Sequence, residues 1–170
     1  MGKKMYNKIS DFKADWKYES DSTLKIFNYL TDKSLTEKFN KEIRTPGRLA
    51  WHIVTTLGEM VQRTGLKFDA TPEDAPIPST AKQICDEYKK SSDEMLKAVT
   101  GGWNDDSLKE DIELYGQTWK KGKVLSVLVN HQIHHRGQLT VLMRMVGLKV
   151  PGVYGPAKEE WAQMGMPPQD

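Results

Sequence analysis

The residues of this chain best suited to chemistry are its histidines. There are four in 170 residues. Three fall in one block, N-H-Q-I-H-H-R-G-Q-L, as His131, His134 and His135, and the fourth, His52, stands in R-T-P-G-R-L-A-W-H-I. An imidazole can fill a core, titrate near neutral pH, carry protons or ligate a metal. In a helix each residue turns by about 100°, so with His131 at zero, His135 lies about 40° away and His134 at about −60°. Val124, Val127, Leu128, Leu142, Met145 and Val146 fall between about −40° and +60° on the same wheel. This places His131 and His135 together on an inward face, with His134 at its margin and Arg136, Thr140 and Arg144 on the far side.

Two inward imidazoles one turn apart repel if both are protonated, and each still needs hydrogen-bond partners if neutral. Two readings stay open from the spacing: packed and hydrogen-bonded rings, or a shared divalent ion. H-x-x-x-H on one helix suits Zn²⁺ and similar ions because i and i+4 side chains converge. Catalytic sites of this kind need a third protein ligand and an open position. His52 is the candidate, since it lies at the edge of its own helix's apolar face, where it could reach a neighbouring helix. Glu59, about 20° from His52 on the wheel, is a candidate acceptor, base or carboxylate ligand. Other conspicuous residues read as structural. Cys85 is a packed thiol, and Trp51, Trp103, Trp119 and Tyr154 are core or loop anchors. Arg136 is a surface ion pair and Gly137 a close helix contact.

The elements that must position these residues are helices. Ile9, Phe12, Trp16, Thr23, Phe27 and Leu30 form one stripe, predicting a helix over 9–30. A charged connection over 31–44 follows, with room for a helical turn. Thr45 is an N-cap and Pro46 fits the first helical position; that helix carries Leu49, His52, Ile53, Leu57, Met60 and Val61, and Gly65 closes it. After a loop rich in Pro and acids, Thr80 with Gln83 makes a capping-box start. The third stripe is Ile84, Tyr88, Met95 and Val99, ended by Gly101 and Gly102. Residues 103–120 read as a loop with one weak strand over 111–115, where Ile112 and Leu114 alternate with acids. The fourth helix spans 121–146 with Gly147 as its stop, and a short helix is predicted over 157–164. The fold class is therefore all-α: one domain over 1–170, a four-helix bundle with a short additional C-terminal helix.

Composition narrows the function. A net charge of +2, with Lys and Arg scattered, argues against nucleic-acid binding. No run approaches about 18 apolar residues, so no membrane partner is expected, and the N-terminal residues lack an apolar signal-peptide core. A single cysteine suits a cytoplasmic protein. The fourth helix also carries Leu125, Val129, Ile133 and Met143 at about 120–200°. This second apolar set must be buried against other helices of the chain or against a second subunit.

The histidine block, preceded by L-Y-G-Q-T-W-K-K-G-K-V-L and followed by V-P-G-V-Y-G-P, resembles the DinB/YfiT-like family of metalloenzymes, as does the R-T-P-G-R-L-A-W-H-I segment. This is the damage-inducible bacterial DinB family, not the DNA polymerase of the same name. The resemblance covers nearly the whole chain. It implies a four-helix bundle, a homodimer, and a metal site with His52, His131 and His135 as ligands and His134 outside it. Relatives in the wider superfamily use the metal to activate a low-molecular-weight thiol such as bacillithiol or mycothiol. The expectation is a metal-dependent enzyme holding zinc or nickel, acting on a small molecule as a thiol S-transferase or hydrolase. Two other classes stand beside it: a non-catalytic metal-binding bundle, and a stress-response protein that binds a small molecule unchanged.

Overall fold

The computed structural model describes residues 5–167. Five α-helices run in the order α1 (Ile9–Phe27), α2 (Asp32–Leu35), α3 (Pro46–Gln62), α4 (Ala81–Gly102) and α5 (Lys121–Met145), with strands β1 (Asp111–Leu114) and β2 (Gln117–Lys120) between α4 and α5. The four long helices pack in a ring, α3 against α5 and α4, and α1 against α4 and α5. Phe12, Trp16, Ile53, Leu57, Ile84, Tyr88, Leu125 and Leu128 fill the centre and are almost fully buried. No described helix is long and apolar enough to cross a membrane.

Local chemistry fixes the helix starts. Thr45 Oγ1 accepts from the Arg48 amide at 3.1 Å, with Pro46 at the first turn. Thr80 Oγ1 accepts from the Gln83 amide at 3.3 Å. The connection before α3 holds the expected helical turn, α2, started by a reciprocal Thr31–Ser34 capping box. Asp32 then caps a different helix, its carboxylate accepting from the Ala81 amide at 2.8 Å. The predicted 9–30 helix ends at Phe27, because Tyr29 and Leu30 bond back to Ile26 and Phe27 in tight turns. Trp51 Nε1 donates to the Ala75 carbonyl at 2.8 Å and pins the loop after α3.

The weak strand is real and has a partner that the sequence reading left as loop. β1 pairs antiparallel with β2, Leu114 opposite Gln117, across Tyr115 and Gly116, whose φ angles are +53° and +71°. Two positive φ values in a two-residue loop are what strand twist requires of a tight hairpin. The C-terminal segment Lys158–Met164 is helical but of the tighter 3₁₀ type.

The orientation of α5 corrects the helical wheel. Its buried side is centred on Leu125, Leu128, Gln132, Arg136, Leu139 and Met143, about 100° from His131. The reason is that α5 has two neighbours. Its histidine edge faces α3, and its Arg136 edge faces α1. Of the second apolar set, expected against other helices of the chain or a second subunit, Leu125, Val129 and Met143 are buried within the chain and Ile133 is partly buried, while Met145, expected inside, is 55% exposed. Arg136 is not a surface residue, and a Cβ at Gly137 would meet nothing within 4 Å, so no close helix contact exists there.

Candidate metal centre

The α3–α5 seam brings His52 to His131 and His135. Their ring centroids are 4.9 Å (His52–His131), 4.7 Å (His52–His135) and 4.3 Å (His131–His135) apart. One nitrogen from each ring lies within 4.8 Å of the other two, and the Nε2 atoms of His52 and His131 are 3.2 Å apart. All three rings are partly buried at the edge of the bundle, not in its centre.

The surroundings hold these imidazoles neutral. Burial first, then the like charges of His135, Arg44 and Arg48, lowers the His52 pKa from 6.5 to about 4. Burial and the other histidines, with Arg44, take His131 to about 4 as well. The pKa of His135 is also lowered by burial, against an opposing hydrogen bond that its ring donates to Gln138. Neutral imidazoles have the lone pairs that a cation needs.

Gln138 sets the orientation of one ring. Its Oε1 stands 2.7 Å from Nδ1 of His135. A carbonyl oxygen only accepts, so Nδ1 carries the proton and Nε2 keeps its lone pair. The other end of the amide, Nε2, lies 3.0 Å from Nε2 of His134. His134 is exposed and outside the cluster. Gln138 was not singled out in the sequence, although its position one turn beyond His135 was visible on the same wheel. On α3, the Thr56 hydroxyl donates to the His52 carbonyl at 2.6 Å.

Glu59 is not brought to the histidines. Its carboxylate accepts from Arg63 Nε at 2.7 Å and from the Tyr115 hydroxyl at 2.7 Å and 2.9 Å. Two helical turns separate it from His52, about 10 Å of rise, and its partners make it the anchor of the hairpin tip. Cys85 is half-buried, as expected of a packed thiol, and burial raises its pKa. Tyr154 anchors the C-terminal loop: its hydroxyl donates to Glu19 at 2.6 Å and accepts from Arg136 at 2.8 Å.

The donor set fits a divalent cation: three neutral imidazoles from two helices, converging, one of them oriented from behind by an amide. Among the described residues no cysteine or carboxylate joins the cluster. The model of the DinB family matches residues 5–169. The chain belongs to the DinB family. This DinB-family chain is 44% identical over 162 residues to the uncharacterized protein YrdA of Bacillus subtilis (strain 168), covering 95% of this chain and 97% of that one. Its fold matches a DinB-like protein from Bacillus cereus ATCC 10987 with a TM-score of 0.84 and 43% identity, over 88% of this chain and 100% of the other. A second DinB-like protein, YjoA from Bacillus subtilis, matches in fold with a TM-score of 0.66 at 16% identity, over 84% of this chain and 96% of that one.

Proposed function

We propose that this DinB-family chain is a metal-dependent enzyme whose zinc or nickel ion is held by His52, His131 and His135. The observation that carries the reading is the convergence of three imidazoles, with ligand nitrogens within 4.8 Å of one another and, among the described residues, no cysteine or carboxylate in the cluster. Three protein ligands leave room for a substrate, and a cavity bordered by His135 lies beside them. A bound divalent ion would supply Lewis acidity there and lower the pKa of a thiol or water presented to it. The chain's own part is to hold the rings. Gln138 keeps the proton of His135 on Nδ1, and the α3–α5 packing sets the separation of His52 from the α5 pair.

Transfer of a low-molecular-weight thiol is the reaction class we propose, with hydrolysis as the same chemistry applied to water. Glu59 takes no part, being committed to Arg63 and Tyr115. A cytoplasmic location belongs to the proposal and is supported by the single cysteine. So does a homodimer, which rests on the family resemblance and not on Leu125, Val129 and Met143; light scattering at micromolar concentration tests it, and a monomeric mass overturns it. The enzyme reading is tested by metal analysis of untagged protein, then a thiol-transfer screen with an electrophile, with the metal present and removed. One equivalent of metal and metal-dependent turnover are expected. Tightly held metal without turnover favours the non-catalytic bundle, and protein that takes up no metal overturns the site.

A further inference from the structure

A cavity of about 490 Å³ opens beside the histidines, between α5 and the segment leading into α3. That is ample for a small organic molecule. His135 and Gln138 border it from α5, and Glu42, Ile43 and Arg44 from the other wall. Two features of this wall lack an explanation in the folded chain. Ile43 and, opposite it, Val141 are apolar yet 38% and 58% exposed. Neither Arg44 nor Arg48 makes a side-chain hydrogen bond or ion pair to a described residue, whereas Arg63, Arg136 and Arg144 each hold a carboxylate, and of the two Arg44 is the one that borders the cavity.

Two charged side chains border the cavity, Arg44 and Glu42. Arg44 acts electrostatically on all three histidines, and Arg48 adds to it at His52. The one acid on the wall, Glu42, has its carboxylate 3.7 Å from the ammonium of Lys41. A guanidinium offers a flat fork of donors that matches a carboxylate. An unpaired one at the mouth of a cavity, with apolar side chains on both walls and a metal-ligating cluster at one side, has the parts of a recognition site.

We propose that the cavity binds a small organic anion, its carboxylate paired with Arg44, its apolar stem between Ile43 and Val141, and its other end directed at the histidines. This deepens the reading of the same centre as an enzyme site by naming the substrate class. The recognition of the anion, however, rests on Arg44 and not on the metal, so the two separate experimentally.

In the first arm, metal-free protein at pH 8, where the imidazoles are neutral, is titrated with hexanoate and with hexanamide by ligand-observed NMR. Hexanoate should bind about tenfold tighter. The preference should vanish in Arg44→Gln and persist in part in Arg44→Lys. Equal binding of the two ligands, or a preference that survives Arg44→Gln, overturns the proposal. In the second arm, cobalt-loaded protein is titrated with 3-mercaptopropionate and 3-mercaptopropan-1-ol, following the visible bands of thiolate coordination. The acid should again be favoured about tenfold, and only with Arg44 present. An advantage that survives Arg44→Gln here assigns the anion to the metal's charge and also overturns the proposal. Failure of the protein to take up cobalt sinks the metal reading and leaves the first arm to judge the anion site.

Discussion

Helix α5 carries two polar clusters on opposite edges, and they are built on opposite principles. On the α1 edge, Arg136 is 3% exposed and nearly every donor has a partner. Its guanidinium donates to the Glu19 carbonyl (2.9 Å), the Glu19 carboxylate (2.6 Å), the Thr23 hydroxyl (3.2 Å) and the Tyr154 hydroxyl (2.8 Å). On the α3 edge, three half-buried imidazoles turn nitrogens toward one another, with Gln138 supporting the group from behind. The first cluster is closed by the chain's own groups. The second brings one nitrogen from each of three rings within 4.8 Å of the others, and among the described residues no cysteine or carboxylate joins them. A buried polar cluster whose donors and acceptors meet one another is a structural device, and one that brings three ring nitrogens together could hold a cation.

The comparison is broken most severely at Arg136. Arg136→Ala leaves the Glu19 carboxylate buried without its cation, which costs about 3–5 kcal/mol and roughly 6–20 °C in Tm. Replacing both partners together, Glu19→Leu with Arg136→Met, should recover most of that loss, because no unpaired charge remains. His131→Ala in metal-free protein should cost within about 1 kcal/mol, since the removed ring sits at a half-open edge. Thermal unfolding of the metal-free variants measures all three. Equal destabilisation by Arg136→Ala and His131→Ala would show that both edges are structural.

Metal uptake breaks the comparison the other way. His52→Ala should lower affinity for zinc or nickel at least about 100-fold, the ion losing one of three protein ligands. His134→Ala, outside the cluster, should keep stoichiometric metal. Competition against a chromogenic chelator reads both, and comparable loss in the two variants removes His52 from the site. Arg136→Ala, measured below its melting temperature, should bind metal as the unaltered protein does.

What the sequence disclosed of these edges follows from what periodicity can encode. Helices α1, α3, α4 and α5 were legible because each has a wide apolar stripe, and Thr45, Pro46 and Thr80 announce two of the starts. The histidine triad was legible because i and i+4 converge on any helix and His52 was the one imidazole left to join them. The direction of α5 was not. A wheel zeroed on His131 shows which residues share a face, but not which face meets two neighbours, so Arg136 read as solvent-exposed and Leu125, Val129 and Met143 as surplus. The partners of Arg136, Glu19 and Thr23, lie more than a hundred residues away. Strand β2 was missed for a local reason: Q-T-W-K has no clear alternation, and only its pairing with β1 defines it. Arg44 stood in a charged connection where nothing distinguished it from its neighbours.

A smaller effect sharpens the role of support at the open edge. Gln138→Leu removes the acceptor that keeps the His135 proton on Nδ1 while preserving size. Partners of this kind typically contribute 10–100-fold in metal affinity. The expected loss lies in that range with helix content unchanged, and it should be smaller than the loss from His52→Ala. Metal binding unaltered by Gln138→Leu would mean that packing alone orients the ring.

The smallest effect is at the closed edge, where Tyr154 ties the C-terminal loop to the ion pair. Burial, then the hydrogen bond to Glu19, raises its pKa from 10.0 to about 12. A group whose folded pKa lies above its unfolded one contributes stability that is fully present below the unfolded value and is lost as pH rises through the folded one. The contribution of Tyr154 should therefore be complete below about pH 10 and fade as the pH passes about 12. Tyr154→Phe should cost about 0.5–1 kcal/mol at neutral pH, the low end for a lost hydrogen bond, because the residue is 63% exposed. The difference in urea midpoint between Tyr154→Phe and the unaltered protein should then narrow between about pH 10 and pH 12. A difference that stays constant across that window would mean that the ring's packing against Tyr18 and Arg136, and not its hydroxyl, holds the loop.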